Sequence, residues 1–199
     1  MIQSICVFCG SSFGRNPRFS DEARALGTLI GQQGLTLVYG GGNVGLMGLL
    51  AEAAMKEGGK VIGIIPVKLF EMVEQMELSE LLVVKDMHER KAMMQDKADA
   101  FIALPGGIGT MEELFEVWAW RYIGYHTKPV GLLNTDGYYD TLLEFLRTMT
   151  HEGFMKKEIL DDLAVADKAS GILKLILQKS AEEPDKNLLK LPERRVQKT

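Results

Sequence analysis

Residues 100–113 read Ala-Phe-Ile-Ala-Leu-Pro-Gly-Gly-Ile-Gly-Thr-Met-Glu-Glu: a short apolar run, a glycine turn, and at once a helical pattern. An apolar strand that turns this sharply into a helix is half of a crossover unit, and the rest of the chain repeats the theme. Candidate strands fall at 2–8, 35–39, 60–65, 81–85, 99–104 and 128–133. Helical patterns fall near 20–33, 45–57, 86–97, 110–123, 138–150 and 168–178. The strands are apolar almost end to end, as they are when helices cover both faces of a parallel sheet. Six strands are too few for an eight-stranded barrel. The pattern predicts an α/β chain with an open, Rossmann-like, doubly wound and mainly parallel sheet, helices on both faces. Residues 1–179 are expected to form one domain. Residues 180–199 carry two prolines, mixed charges and only Leu188, Leu189 and Leu191 as an apolar cluster, and read as a mobile or loosely docked tail.

A chain of 199 residues can bury a sizeable core. Its formal net charge of −4 argues against a general binder of nucleic acid or of membrane surfaces. An anion must therefore be held by local groups. No apolar run approaches the roughly 18 residues of a membrane span, and the first strand begins without a basic stretch or cleavage site, so a cytoplasmic location is expected. Cys6 and Cys9 form a lone C-x-x-C. Positions i and i+3 of a strand point to opposite faces, which suits neither a redox pair nor two zinc ligands. His88, His126 and His151 show no metal-ligand spacing, and Ala92 stands where a zincin helix would place its second histidine. No G-x-S-x-G elbow occurs. No metal is expected, and the chemistry falls to carboxylates and cations.

The glycine turn at 105–110 aims backbone N–H groups and the positive end of a helix dipole at one spot, which suits phosphate. It lacks the Gly-Lys-Ser/Thr ending of an NTPase loop, so a monophosphate is the expected ligand. A second turn, Gly40-Gly41-Gly42-Asn43-Val44-Gly45, satisfies G-x-G-x-x-G. The acidic residue that would hold a dinucleotide ribose is missing, because the strand at 61–65 ends in Pro66. Tight helix–strand packing and close approach to a nucleotide both remain open for this turn. Ligands of open α/β sheets sit beyond the carboxyl ends of the strands, so both turns and Ser11-Ser12 should line one crevice.

Asp86 is a good N-cap, and Glu89 three residues later fits a capping box. Arg90 and Lys91 then oppose the helix dipole, which points to an anionic ligand nearby. Glu113 has two readings. With Thr110 as N-cap it would close a capping box; facing the crevice it would be a catalytic carboxylate. Glu112 points about 100° away around the helix. The helix at 110–123 is apolar on nearly every side, as expected of central packing or of a subunit interface.

Gly41 to Gly48 (GGNVGLMG), Met87-His88-Glu89-Arg90-Lys91 and Pro105 to Glu113 (PGGIGTMEE) together resemble the LOG, or "lonely guy", family, and the likeness covers about residues 1–178. The resemblance implies a cytokinin riboside 5′-monophosphate phosphoribohydrolase: a homodimer with active sites near the subunit interface, no metal and no cofactor. Its substrate would be a small nucleoside monophosphate, with no nucleic-acid or membrane partner. It implies Arg90 and Glu113 as catalytic residues. Lys91, Gly106, Gly107, Ile108, Gly109 and Thr110 would contact the nucleotide, with Ser11, Gly42 and Met87 beside them. Relatives also carry a lysine-decarboxylase label, for which the sequence offers no Schiff-base lysine context. A non-catalytic nucleotide-binding or sensor protein on the same fold is the alternative.

Overall fold

A computed structural model describes residues 1–179; the expected tail at 180–199 lies outside them. The elements run β1 (Ser4–Phe8), α1 (Pro17–Gln32), β2 (Thr36–Tyr39), α2 (Gly45–Lys56), β3 (Val61–Pro66), α3 (Val67–Phe70), β4 (Glu80–Val84), α4 (Met87–Asp96), β5 (Ala100–Ala103), α5 (Ile108–Tyr122), β6 (Val130–Leu133), α6 (Asp140–His151), α7 (Lys157–Asp162), β7 (Ala164–Ala166) and α8 (Ala169–Lys179). Every strand pairing is parallel, in the order β4-β3-β2-β1-β5-β6-β7. The order reverses between β1 and β5. The loops leaving these neighbours diverge to opposite faces and open the crevice typical of a doubly wound sheet.

Each face of the sheet carries its own apolar layer. On one side Leu26 and Ile30 of α1, Leu46 and Leu50 of α2, and Ile172 and Ile176 of α8 pack on Ile5, Val7 and Leu37. On the other, Met94 of α4, Leu114 and Trp118 of α5, and Leu146 of α6 pack on Cys6, Phe8 and Phe101. Consecutive β1 residues thus alternate between the two layers, as the pleat requires. Cys6 belongs to one layer and Cys9 to the other; both are free and buried.

Besides a 3-10 turn at Thr135–Gly137, the described residues add three short elements to the pattern expected from the sequence. α3, α7 and β7 have four, six and three residues, too few to show a period of their own. β7 exists through its pairing with β6, from Gly131↔Ala164 to Leu133↔Ala166. Two helices also begin earlier than expected. α1 starts at Pro17, where Asn16 accepts a hydrogen bond from the Arg18 N–H and proline occupies the first turn. α5 starts at Ile108, with Gly107 as its N-cap. No helix among the described residues is long and apolar enough to cross a membrane.

Candidate active site

The cleft at the carboxyl ends of β1, β2, β3 and β5 has a volume of about 470 Å³. Ser11 lines it from the loop after β1, Gly40 and Gly42 from the loop after β2, and Met87 and Arg90 from α4. Gly107, Ile108, Gly109, Thr110, Glu112 and Glu113 line it from the start of α5. Sequence-distant motifs thus meet at the reversal point of the sheet. Two of the expected residues stand elsewhere. Gly106 borders an adjoining slot, where its carbonyl accepts a 2.6 Å hydrogen bond from the Tyr138 hydroxyl. Lys91 turns toward the flank of α5 and pairs with Glu112 and Glu116.

The early start of α5 settles one of the open readings. Thr110 is the third residue of the helix and not its N-cap, so Glu113 is the sixth and cannot close a capping box. Nor does any side chain among the described residues cap this terminus. The N–H groups of Ile108, Gly109 and Thr110 therefore have no acceptor within the helix, and the dipole adds to their pull on an anion. Gly107 and Gly109 have ordinary negative φ values, and an added Cβ at either would meet no atom within 4 Å. The fold itself places no demand for glycine there. Their backbone is left open to the cleft.

Gly40 is different. A Cβ there would lie 2.1 Å from Nη2 of Arg90, so only glycine lets the guanidinium lie against the turn after β2. Arg90 is 8% exposed. Its Nη2 stands 3.5 Å from Glu113 Oε1 and its Nη1 stands 3.7 Å from Met87 Sδ, while its buried Nε has no hydrogen-bond partner among the described residues. Glu113 is as buried as Arg90. That burial raises its carboxyl above the usual range, with Arg90 pulling the other way. A buried carboxylate paired this loosely with an incompletely satisfied arginine leaves bonding capacity facing the cleft that a saturated structural brace would not.

The base of α4 follows the sequence reading with a one-residue displacement. Asp86 Oδ1 accepts from the His88 and Glu89 N–H groups at 3.0 Å each. Glu89 reaches back 2.7 Å to the N–H of Lys85 rather than to that of Asp86. Glu89 is thus committed to the helix terminus, whereas Arg90 points into the cleft.

Several cleft residues carry no sequence signal. Cys9, Ile65, Leu69, Val73 and Met94 supply apolar lining to the cleft. They come from separate elements, and only the sheet order brings them together. Glu116 was legible in principle, because its i, i+4 spacing puts it on the same helix face as Glu112.

A sequence model for a family described as "Possible lysine decarboxylase" matches residues 47–176. Over 181 residues the chain is 48% identical to the probable cytokinin riboside 5′-monophosphate phosphoribohydrolase LOG4 of Oryza sativa subsp. japonica, covering 90% of this chain and 79% of that one. Over 153 residues it is 52% identical to the cytokinin riboside 5′-monophosphate phosphoribohydrolase LOG5 of Arabidopsis thaliana, covering 76% and 67%. Among solved structures, the molybdenum cofactor binding protein of Rippkaea orientalis superposes with a TM-score of 0.69 at 26% identity, covering 89% of this chain and 97% of that one. The glycine turns, the Arg90–Glu113 pair and these identities agree, and the chain belongs to the LOG family.

Proposed function

We propose that this protein hydrolyses the N-glycosidic bond of adenosine 5′-monophosphate and of its N6-modified, cytokinin-type derivatives, releasing the free base and ribose 5-phosphate. The observation that carries the reading is the buried Arg90–Glu113 pair in a cleft that the uncapped start of α5, one turn before Glu113, also lines. Relatives 48–52% identical that bear the phosphoribohydrolase name support it.

The chemistry follows from the geometry. The 5′-phosphate sits on the N–H groups of Ile108, Gly109 and Thr110, and its binding energy positions the ribose. Glu113 lies one helical turn further along, within reach of the sugar. Breaking the C1′–N bond builds oxocarbenium-like charge on the ribose, which a carboxylate stabilises. Water adds to C1′ as the C1′–N bond breaks, one proton of the water passing to Glu113 and on to solvent, while the leaving base takes up a proton from solvent. Arg90 binds and orients the nucleotide. No lysine among the described residues lines the cleft, so a Schiff-base decarboxylase would lack its nucleophile there.

The active unit is a homodimer in this reading. Exposed Met87 at the cleft, Phe115 on α5 and Ile123 just after its end supply apolar surface for a second copy. Incubation with AMP and N6-isopentenyl-AMP, with chromatography for free base and ribose 5-phosphate, tests the activity. Tight binding of both nucleotides with release of neither product would replace the enzyme with a non-catalytic nucleotide binder.

A further inference from the structure

Lys91 follows Arg90 on α4 but faces a different neighbour. Its side chain is 12% exposed, its ammonium touches Glu112 Oε1, and it stands 3.0 Å from Glu116 Oε1. Gln95, one turn on, donates to the other oxygen of Glu116 at 3.4 Å. The first half of α5 thus carries three carboxylates within five residues, and the buried one, Glu113, lies between the two that Lys91 binds. Like charges this close disfavour one another's ionised form. Left uncompensated, Glu112 and Glu116 would load a proton onto the most desolvated member of the trio.

The geometry points to Lys91 as a positioning residue: by clamping Glu112 and Glu116 it fixes the start of α5 and keeps Glu113 facing Arg90 as a carboxylate. The inference rests on Glu113 serving as the catalytic carboxylate proposed above. It replaces direct nucleotide contact as the role of Lys91, whose ammonium is committed to α5. The groups facing Glu113 are few. Arg90 and Lys91 act on it from α4, and both favour its charge; Glu112 and Glu116 act from its own helix, and both oppose it. The Cys6 and Cys9 thiols on the β1 side are held neutral, chiefly by burial. Burial also works against the Lys91 ammonium, yet its bonds to Glu112 and Glu116 raise its pKa overall, so it stays charged across the working range.

The test compares wild type with Lys91→Met, Lys91→Arg and the double variant Lys91→Met/Glu116→Gln. Two readouts are used: the pH dependence of kcat for AMP hydrolysis, and the titration of Glu113 in the nucleotide-free protein by NMR of ¹³C-labelled glutamate side chains. Lys91→Met should move the acidic limb of kcat and the Glu113 titration upward together, by about one pH unit. Lys91→Arg should leave both at the wild-type position. The double variant should bring both part of the way back, since it removes one of the two charges that Lys91 had balanced. A Lys91→Met protein with raised KM, an unmoved limb and an unmoved Glu113 titration would overturn the proposal and make Lys91 a nucleotide contact. Should wild type release no base while Lys91→Met still shifts the Glu113 titration, the enzyme reading fails and the electrostatic one stands.

Discussion

Two arginines are buried to the same 8% exposure, and each meets a carboxylate, yet the two pairs are built differently. Arg121, at the end of α5, grips Asp162 with Nε at 2.5 Å and Nη2 at 3.0 Å. Its Nη1 donates to the carbonyls of Thr127 and, at 3.1 Å, Lys128. Asp162 also meets Lys179 at 3.5 Å. Among the described residues, Arg90 has a single 3.5 Å approach to Glu113 and an unpartnered Nε. The carboxyl groups respond in opposite directions. Burial opposes the charge of both, but the Arg121 bonds outweigh it and lower Asp162, whereas burial wins at Glu113 and raises it. A bidentate, saturated pair braces the fold. A loose, unsaturated pair at the mouth of a cleft keeps bonding capacity for a ligand.

The largest expected effect tests the brace. Arg121→Met leaves Asp162 with Lys179 alone and strips the donors from two carbonyls. It should cost about 3 kcal/mol, the lower end for a broken buried pair, read from denaturant midpoints, with kcat of the folded fraction unchanged. Glu113→Gln should do the reverse. Its kcat should fall about 10²-fold or more, the lower end for a positioned acid–base group, while the thermal midpoint and AMP binding persist. Near-normal hydrolysis by Glu113→Gln would move the catalytic carboxylate elsewhere and erase the contrast. Smaller still is Gly109→Val. Its side chain would enter open space, so the fold should hold while AMP binding weakens by about tenfold (about 1.4 kcal/mol). An unfolded Gly109→Val would show that the turn is glycine-rich for packing, and a folded one that binds AMP normally would show that the ligand does not approach this backbone closely.

The contrast between the two pairs was only half visible in the sequence. Arg90 stood out because it breaks a local rule, a cation in the first turns of a helix. Arg121 obeys that rule, lying in a last turn, and so drew no notice. Its partner Asp162 is 41 residues away in a six-residue helix that leaves no periodic trace. The strand-turn-helix units were legible because their signals are local: apolar runs, glycines and caps. The helix start was not, because Thr110 looks like an N-cap until the chain is seen to be helical from Ile108. That error of two residues left the role of Glu113 undecided. The apolar lining of the cleft escaped for another reason: its side chains sit in unrelated segments that only the sheet order brings together. Lys91 and its two carboxylates were each noticeable, but their pairing is a contact between helices.

The last expectation separates the two pairs by pH. In the proposed reaction Glu113 must be ionised to act, and burial raises its carboxyl above the usual glutamate value of about 4.3. Activity should therefore decline as pH falls through that raised value. Protonating Glu113 does not unfold the protein, because a raised carboxyl binds its proton more tightly in the folded than in the unfolded state, so this step favours the fold. Asp162 runs the other way. Its lowered carboxyl contributes stability that is fully present above the unfolded value of about 3.9 and is lost as pH falls through the lower folded value. Acidification should then pass through an inactive but folded protein, recoverable on return to neutral pH. Parallel circular dichroism and AMP hydrolysis between pH 7 and about pH 3 check the order of the two losses. Coincident loss of activity and ellipticity would mean that the Glu113 pair braces the fold as the Asp162 pair does.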